Sequence, residues 1–281
     1  MSSNPDPSKP NSSADETQSS GVIRQLRVAM CFLTRQSVNE TDRNHIITSD
    51  NLVKAIWLFP IVGVAIGGIG AIALILLTWA NVPEPVAAAL SVGLIIWFTG
   101  AAQEDGLANL IDGLGSGKNQ EQKIDIMKSK ARGSYGILCL AIVIIAKVAA
   151  IASIAYVDTG AAAGAIVAAT VWSRSLLAPS MRWLPPIIEE LPSEWIIAPS
   201  EGDTWKGLIL GSLLLALMLI TPAGTSLIII LIAGGASAFA IGWLALWQIQ
   251  GYTVDILWSI QQVAETTVLV VASAIIIGNI V

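Results

Sequence analysis

The stretch QEDGLANLIDGLG at residues 103–115 concentrates the chain's candidate chemistry. Asp105, Asn109 and Asp112 stand four and three residues apart, a spacing that places side chains on one stripe of a helix. Two carboxylates and an amide aligned in this way can hold Mg²⁺ against a diphosphate, because that ion takes one or two carboxylates and completes its shell with phosphate oxygens and water. The same pattern also fits a helix end with solvated acids, since a glycine follows each Asp. Further ionisable groups stand in or beside apolar runs: Lys147, Arg174, Asp255 and Glu265. Such groups are costly in a membrane and usually functional. Lys147, in the middle of AIVIIAKVAAI, is read either as the partner of Glu265 or as a snorkelling side chain.

The elements that position these groups are set by composition. Of 281 residues, 54% are apolar and 12% charged, about half the charge of an ordinary soluble domain, and the mean hydropathy is +0.71. This points to an all-α, polytopic membrane bundle, because within hydrocarbon every backbone polar group must be satisfied by the helix itself. The net charge of −5 excludes a nucleic-acid footprint. One His and two Cys exclude a His- or Cys-ligated zinc or iron–sulfur site and a disulfide scaffold. A metal here would be a hard cation on carboxylates.

About seven spans, within a range of six to eight, are expected near 56–79, 85–102, 136–156, 161–178, 207–220, 225–247 and 258–280. Residues 1–21 read as a disordered tail and 22–35 as a short interfacial helix. Residues 22–281 then form one membrane-embedded domain with cytoplasmic loops at 103–135 and 179–206. Trp57, Trp79, Trp97, Trp172, Trp243 and Trp247 are expected at the interfaces. Arg24, Arg27, Arg35, Arg43 and Lys54 precede the first span, and Lys118, Lys123, Lys128, Lys130 and Arg132 follow the second. Arg182 and Lys206 follow the fourth, whereas TWANVPEP, VDTGA and TPAGT carry no Lys or Arg. The positive-inside rule places the N-terminus in the cytoplasm, and Asp105, Asp112, Arg174 and Asp255 on the cytoplasmic side.

The chain resembles cobalamin synthase, the adenosylcobinamide-GDP ribazoletransferase family. A signature close to T-G-x-x-H-x-D-G-L-A-D-x-x-D-G-L is matched from Thr99 to Leu114. Phe32-Leu33-Thr34-Arg35, Phe59-Pro60-Ile61-Val62-Gly63, Asp125-Ile126-Met127-Lys128, Ala169 to Arg174 and Gly251 to Trp258 follow in family order. The departures are Gln103 for the family His and Asn109 for one of its three Asp. Ala131 lacks the family Arg, which Arg132 can supply from the next position, and Val254 and Trp258 replace glycines.

The resemblance implies a bacterial inner-membrane transferase that joins adenosylcobinamide-GDP to α-ribazole or its 5′-phosphate and releases GMP. It implies Mg²⁺ on Asp105 and Asp112 with Asn109 as auxiliary ligand, and Asp255 as a further ligand or general base. Arg174 would clamp a phosphate, while Lys128, Arg132 and Arg35 would attract the nucleotide. The partners implied are the corrinoid nucleotide, α-ribazole, the bilayer and other enzymes of cobalamin biosynthesis. Three alternatives are a membrane phosphotransferase for another alcohol, a non-catalytic relative and a small-molecule permease. The absence of an internal repeat weighs against the permease.

Overall fold

The computed structural model describes residues 12–34, 47–129, 133–188, 191 and 196–280. It is helical throughout, with no strand among the described residues and one isolated parallel bridge, Pro186 to Tyr252. The helices are α1 (Ser12–Leu33), α2 (Ser49–Ala55), α3 (Phe59–Trp79), α4 (Glu84–Thr99), α5 (Ala102–Ser116) and α6 (Gln120–Lys128). They continue with α7 (Ser134–Val157), α8 (Thr159–Ser175), α9 (Leu177–Trp183), α10 (Glu201–Ala223), α11 (Leu227–Ile249) and α12 (Val254–Ile280). Helix α1 begins inside the segment expected to be a tail. Ala14, Glu16 and Gln18 are good helix formers, and low hydrophobicity alone does not oppose a helix.

The bundle is built around α8. In the segment Thr159–Trp183, 94% of the most apolar window is buried. Its sequence TGAAAGAIVAAT is made of small residues, which let helices approach closely where no hydrophobic force joins them in lipid. Helix α3 exploits this approach. A Cβ on Gly63 would lie 2.7 Å from the Thr170 carbonyl oxygen, and one on Gly67 would lie 2.8 Å from Val167 Cα. The Thr170 hydroxyl donates to the Gly63 carbonyl at 2.9 Å. Trp172, expected at an interface, is buried here instead and donates Nε1 to the Leu231 carbonyl at 3.1 Å. A core Trp and an interfacial Trp look alike near the end of an apolar run.

Five helical segments among the described residues are long and apolar enough to cross a membrane, or six if α4 and α5 count as one bent crossing. This count takes Glu201–Ile249 as one segment, and on that basis the seven expected are not confirmed. The counted segment Glu201–Ile249 has 49 residues, roughly 73 Å at 1.5 Å per residue, against a hydrocarbon core of about 30 Å. It breaks at Gly224, where φ is +56°, and turns back on itself. Asn279 near the end of α12 donates to the Pro222 carbonyl at 3.3 Å, while Gly234 sits against Val268. Helix α11 therefore runs back alongside α12.

Helices α4 and α5 meet at a bend of 90°. Gly100 and Ala101 both adopt left-handed backbone, with φ of +70° and +56°. Glycine enters that region freely, but alanine does so at a cost of about 1–2 kcal/mol. Gly63→Ala is expected to lower bundle stability by about 1–3 kcal/mol through overpacking against α8. Thermal unfolding of the protein in lipid nanodiscs would measure the loss, and an unchanged midpoint would contradict the packing described.

Candidate active site

The bend delivers α5 to the start of α12, and Gly106 makes the contact possible. A Cβ there would lie 2.6 Å from Trp258 Cβ and 3.0 Å from the Asp255 carbonyl oxygen. With the backbones this close, Asn109, one turn further along α5, donates Nδ2 to Asp255 Oδ2 at 3.2 Å. Asp105, Asn109 and Asp255 are all half-buried, so they are held by the fold and still accessible. Trp258, which replaces a family glycine, is itself buried against Gly106 and against Phe32, at a ring-centroid distance of 5.7 Å. Gln103, at the family's His position, is buried and donates Nε2 to the Leu33 carbonyl at 3.1 Å. That bond ties α5 to the end of α1.

Asp112 lies on the same stripe but does something different. Its Oδ2 accepts from the Gly133 amide at 2.8 Å, and its Oδ1 accepts from the Gly136 amide at 2.7 Å. It caps the N-terminus of α7 from outside, and its negative charge suits the positive end of that helix. The same contacts require small residues there, because a Cβ on Gly133 would lie 2.3 Å from Asp112 Oδ1.

A second polar cluster is buried deeper, among α5, α7, α8 and α12. Glu265 is its centre. Lys147 Nζ donates to Glu265 Oε1 at 2.7 Å. Arg174 donates to Oε2 at 3.1 Å and Gln261 Nε2 donates to Oε2 at 2.7 Å. Of the two readings of Lys147, the structure selects pairing with Glu265. Gln262 joins Lys147 to Glu104, accepting from the first and donating to the second. Arg174 is 1% exposed and also donates to the Thr170 carbonyl at 3.0 Å, so it stands within this network and not with Asp105 and Asp255. Glu104 Oε2, Arg174 Nε and Gln261 Oε1 have no hydrogen-bond partner. A cavity of about 10 Å³ lined in part by Glu104, Lys147, Thr170 and Glu265 is about the size one bridging water requires.

Sequence reasoning did not single out Glu104, Gln261 or Gln262. A signal existed, since Gln261, Gln262 and Glu265 form a polar stripe at helical spacing inside an apolar span.

The approach to the site is completed by α6 and the turn before α12. Gln120 donates to the Ile249 carbonyl at 2.8 Å, and Lys123 donates to Gln248. These contacts carry Lys128, exposed at the end of α6, to a cleft beside Asp255. The turn is pinned where the Tyr252 amide donates to Pro185 at 2.9 Å and the Ile187 amide donates to Tyr252 at 3.1 Å. Burial pushes the Tyr252 phenol above its ordinary range, opposed by a hydrogen bond with the Ile197 backbone. Arg35 and Arg132 lie outside the described residues. Among the described residues no group of three or more His, Cys, Asp or Glu converges as a metal site. The donor set at hand is two carboxylates and an amide, which meets the modest demand of Mg²⁺ for protein ligands.

Fold and site define a polytopic membrane protein with an acidic site where a bent helix pair meets the start of its last helix. The chain belongs to the cobalamin-5-phosphate synthase family, whose model matches residues 25–273. It is 34% identical over 252 residues to the adenosylcobinamide-GDP ribazoletransferase of Mesorhizobium japonicum, covering 90% of this chain and 93% of the relative. It is 31% identical over 259 residues to the enzyme of that name from Bradyrhizobium diazoefficiens, covering 92% and 96%. With the Shewanella frigidimarina relative of the same name it shares 32% over 274 residues, covering 91% and 98%. No solved structure matches the chain.

The two acids of the α5 stripe are expected to separate experimentally. Asp112→Ala should lower thermal stability by about 1–2 kcal/mol, as loss of a helix cap does, whereas Asp105→Ala should leave the unfolding midpoint nearly unchanged and abolish activity. Glu265→Gln removes the carboxylate that both Lys147 and Arg174 contact and should cost about 3–5 kcal/mol. Unfolding midpoints of the three variants in nanodiscs check the set.

Proposed function

We propose that this chain is a transferase of cobalamin biosynthesis. It joins adenosylcobinamide-GDP to α-ribazole or α-ribazole 5′-phosphate and releases GMP, at the cytoplasmic face of a bacterial inner membrane with its N-terminus inside. The observation that carries the reading is the Asn109–Asp255 hydrogen bond, with Asp105 one helical turn before Asn109 on α5, within a chain that matches the family over residues 25–273.

The reaction asks the site to neutralise a diphosphate, hold the attacking hydroxyl and accept its proton. Asp105 and Asp255 would hold Mg²⁺, with Asn109 beside them as a neutral oxygen donor. Bound there, the ion supplies charge neutralisation of the diphosphate. Asp255 is the carboxylate assigned to take the hydroxyl proton, since it is half-buried at the start of α12 and its Oδ2 is already oriented by Asn109. The hydroxyl oxygen attacks the phosphorus attached to the cobinamide, the bond to the bridging oxygen breaks, and GMP departs with the electron pair. Lys128 draws the anionic substrate toward the cleft. Asp112 supports the site through α7 and Arg174 through the Glu265 network, which moves both away from direct substrate contact.

Protein in nanodiscs with Mg²⁺, adenosylcobinamide-GDP and α-ribazole should release GMP and form a corrinoid product. Asp105→Asn and Asp255→Asn should each reduce turnover by about 10²–10⁴ without a shift in melting temperature. Removal of Mg²⁺ with a chelator should do the same reversibly. Turnover that persists in both variants would sink the assignment of the site, and no turnover by the folded wild type would sink the activity.

A further inference from the structure

We propose that the cleft at the start of α12 is a subsite for a phosphate monoester, with the Thr253 hydroxyl as its buried donor. Thr253 immediately precedes α12, and its carbonyl accepts the first helical bond, from the Leu257 amide at 3.2 Å. A Thr in that position ordinarily turns its hydroxyl back to cap the first turn. Here Oγ1 is buried with no hydrogen-bond partner, in a residue 8% exposed. A buried hydroxyl without a partner is costly, so its survival at this point marks a group kept for something that arrives.

The surroundings indicate what arrives. Thr253 lines a cleft of about 70 Å³ with Ile124, Met127, Lys128, Val254 and Asp255. The cleft lies against the N-terminus of a 27-residue helix, whose first-turn amides have no acceptor within the helix and whose dipole favours an anion. Lys128 adds an ammonium. Asp255 Oδ2 accepts from Asn109, on the α5 side of the helix start. A phosphate monoester presents three terminal oxygens, enough to meet a hydroxyl, backbone amides and an ammonium together. A carboxylate has two. The proposal rests on the proposed reaction for the identity of the ligand, since two of its compounds carry such a group: GMP and α-ribazole 5′-phosphate.

The test is calorimetric titration of the protein in nanodiscs with inorganic phosphate, GMP, α-ribazole 5′-phosphate and unphosphorylated α-ribazole. Wild type should bind inorganic phosphate. Thr253→Val should weaken that binding about tenfold, Thr253→Ser should restore it, and Lys128→Gln should weaken it. Whichever of GMP and α-ribazole 5′-phosphate loses affinity in Thr253→Val is the natural occupant, while α-ribazole should be unaffected. Absence of phosphate binding in the wild type, equal binding in Thr253→Val, or an equal loss for α-ribazole overturns the proposal. Should Thr253→Val fail to fold, unchanged phosphate affinity in Lys128→Gln, altered at an exposed residue, overturns it equally. Turnover by the wild type is scored separately. Phosphate binding without turnover overturns the enzymatic reading alone, and turnover with phosphate binding indifferent to Thr253 overturns the subsite alone.

Discussion

A carboxylate held between two cations inside an apolar bundle is the constraint on which the structure depends. Glu265 accepts from Lys147 on α7 and Arg174 on α8, so three helices share one charge centre. None of the three groups tolerates separation, because each would then be an uncompensated charge in a low-dielectric interior. The network reaches α5 through Gln262 and Glu104. That link fixes the rotation of α5 about its own axis. With Glu104 turned inward, its neighbour Asp105 points elsewhere, because adjacent residues on a helix are about 100° apart. The buried network therefore orients a site with which it shares no side chain.

Close approach fixes the remaining coordinates. The left-handed backbone at Gly100 and Ala101 swings α5 away from the line of α4. Gly106 lets it rest on the backbone at Asp255. Gly113 makes the corresponding contact with α6, where a Cβ would lie 2.8 Å from the Lys123 carbonyl oxygen. Asp112 then takes the amides that open α7. One helix thus makes four different kinds of contact within 15 residues, and each glycine of the D-G repeats marks a place where another element comes close.

Much of this was legible in the sequence and some was not, for definable reasons. Hydropathy and the scarcity of charge gave the all-α membrane class, and pairing of Lys147 with Glu265 stood as one of two readings of a lysine inside an apolar run. The ribazoletransferase resemblance rested on ordered landmarks and agrees with the family match over residues 25–273. The role of Asp112 was not legible, because a helix cap is made with backbone amides and these leave no mark in residue types. Nor was the burial of Arg174 and Trp172, since faces turned to lipid and faces turned to protein are equally apolar. The segment Glu201–Ile249 was divided correctly into two apolar runs, because TPAGT carries the Pro and Gly that break a helix.

The departures from the family pattern acquire a physical sense in this setting. Gln103 replaces a ring that can carry a proton with an amide that cannot, and it uses that amide to hold the end of α1 at Leu33. The exchange preserves a hydrogen-bond donor and removes a titration near neutral pH. Asn109 replaces a carboxylate that would face Asp255, and two carboxylates at that separation repel unless a cation lies between them. The amide converts the repulsion into a hydrogen bond of 3.2 Å. The pair is thereby assembled by the fold itself, with one negative charge fewer where α5 meets the start of α12. Preorganisation of this kind holds the two side chains in one geometry without a third group between them.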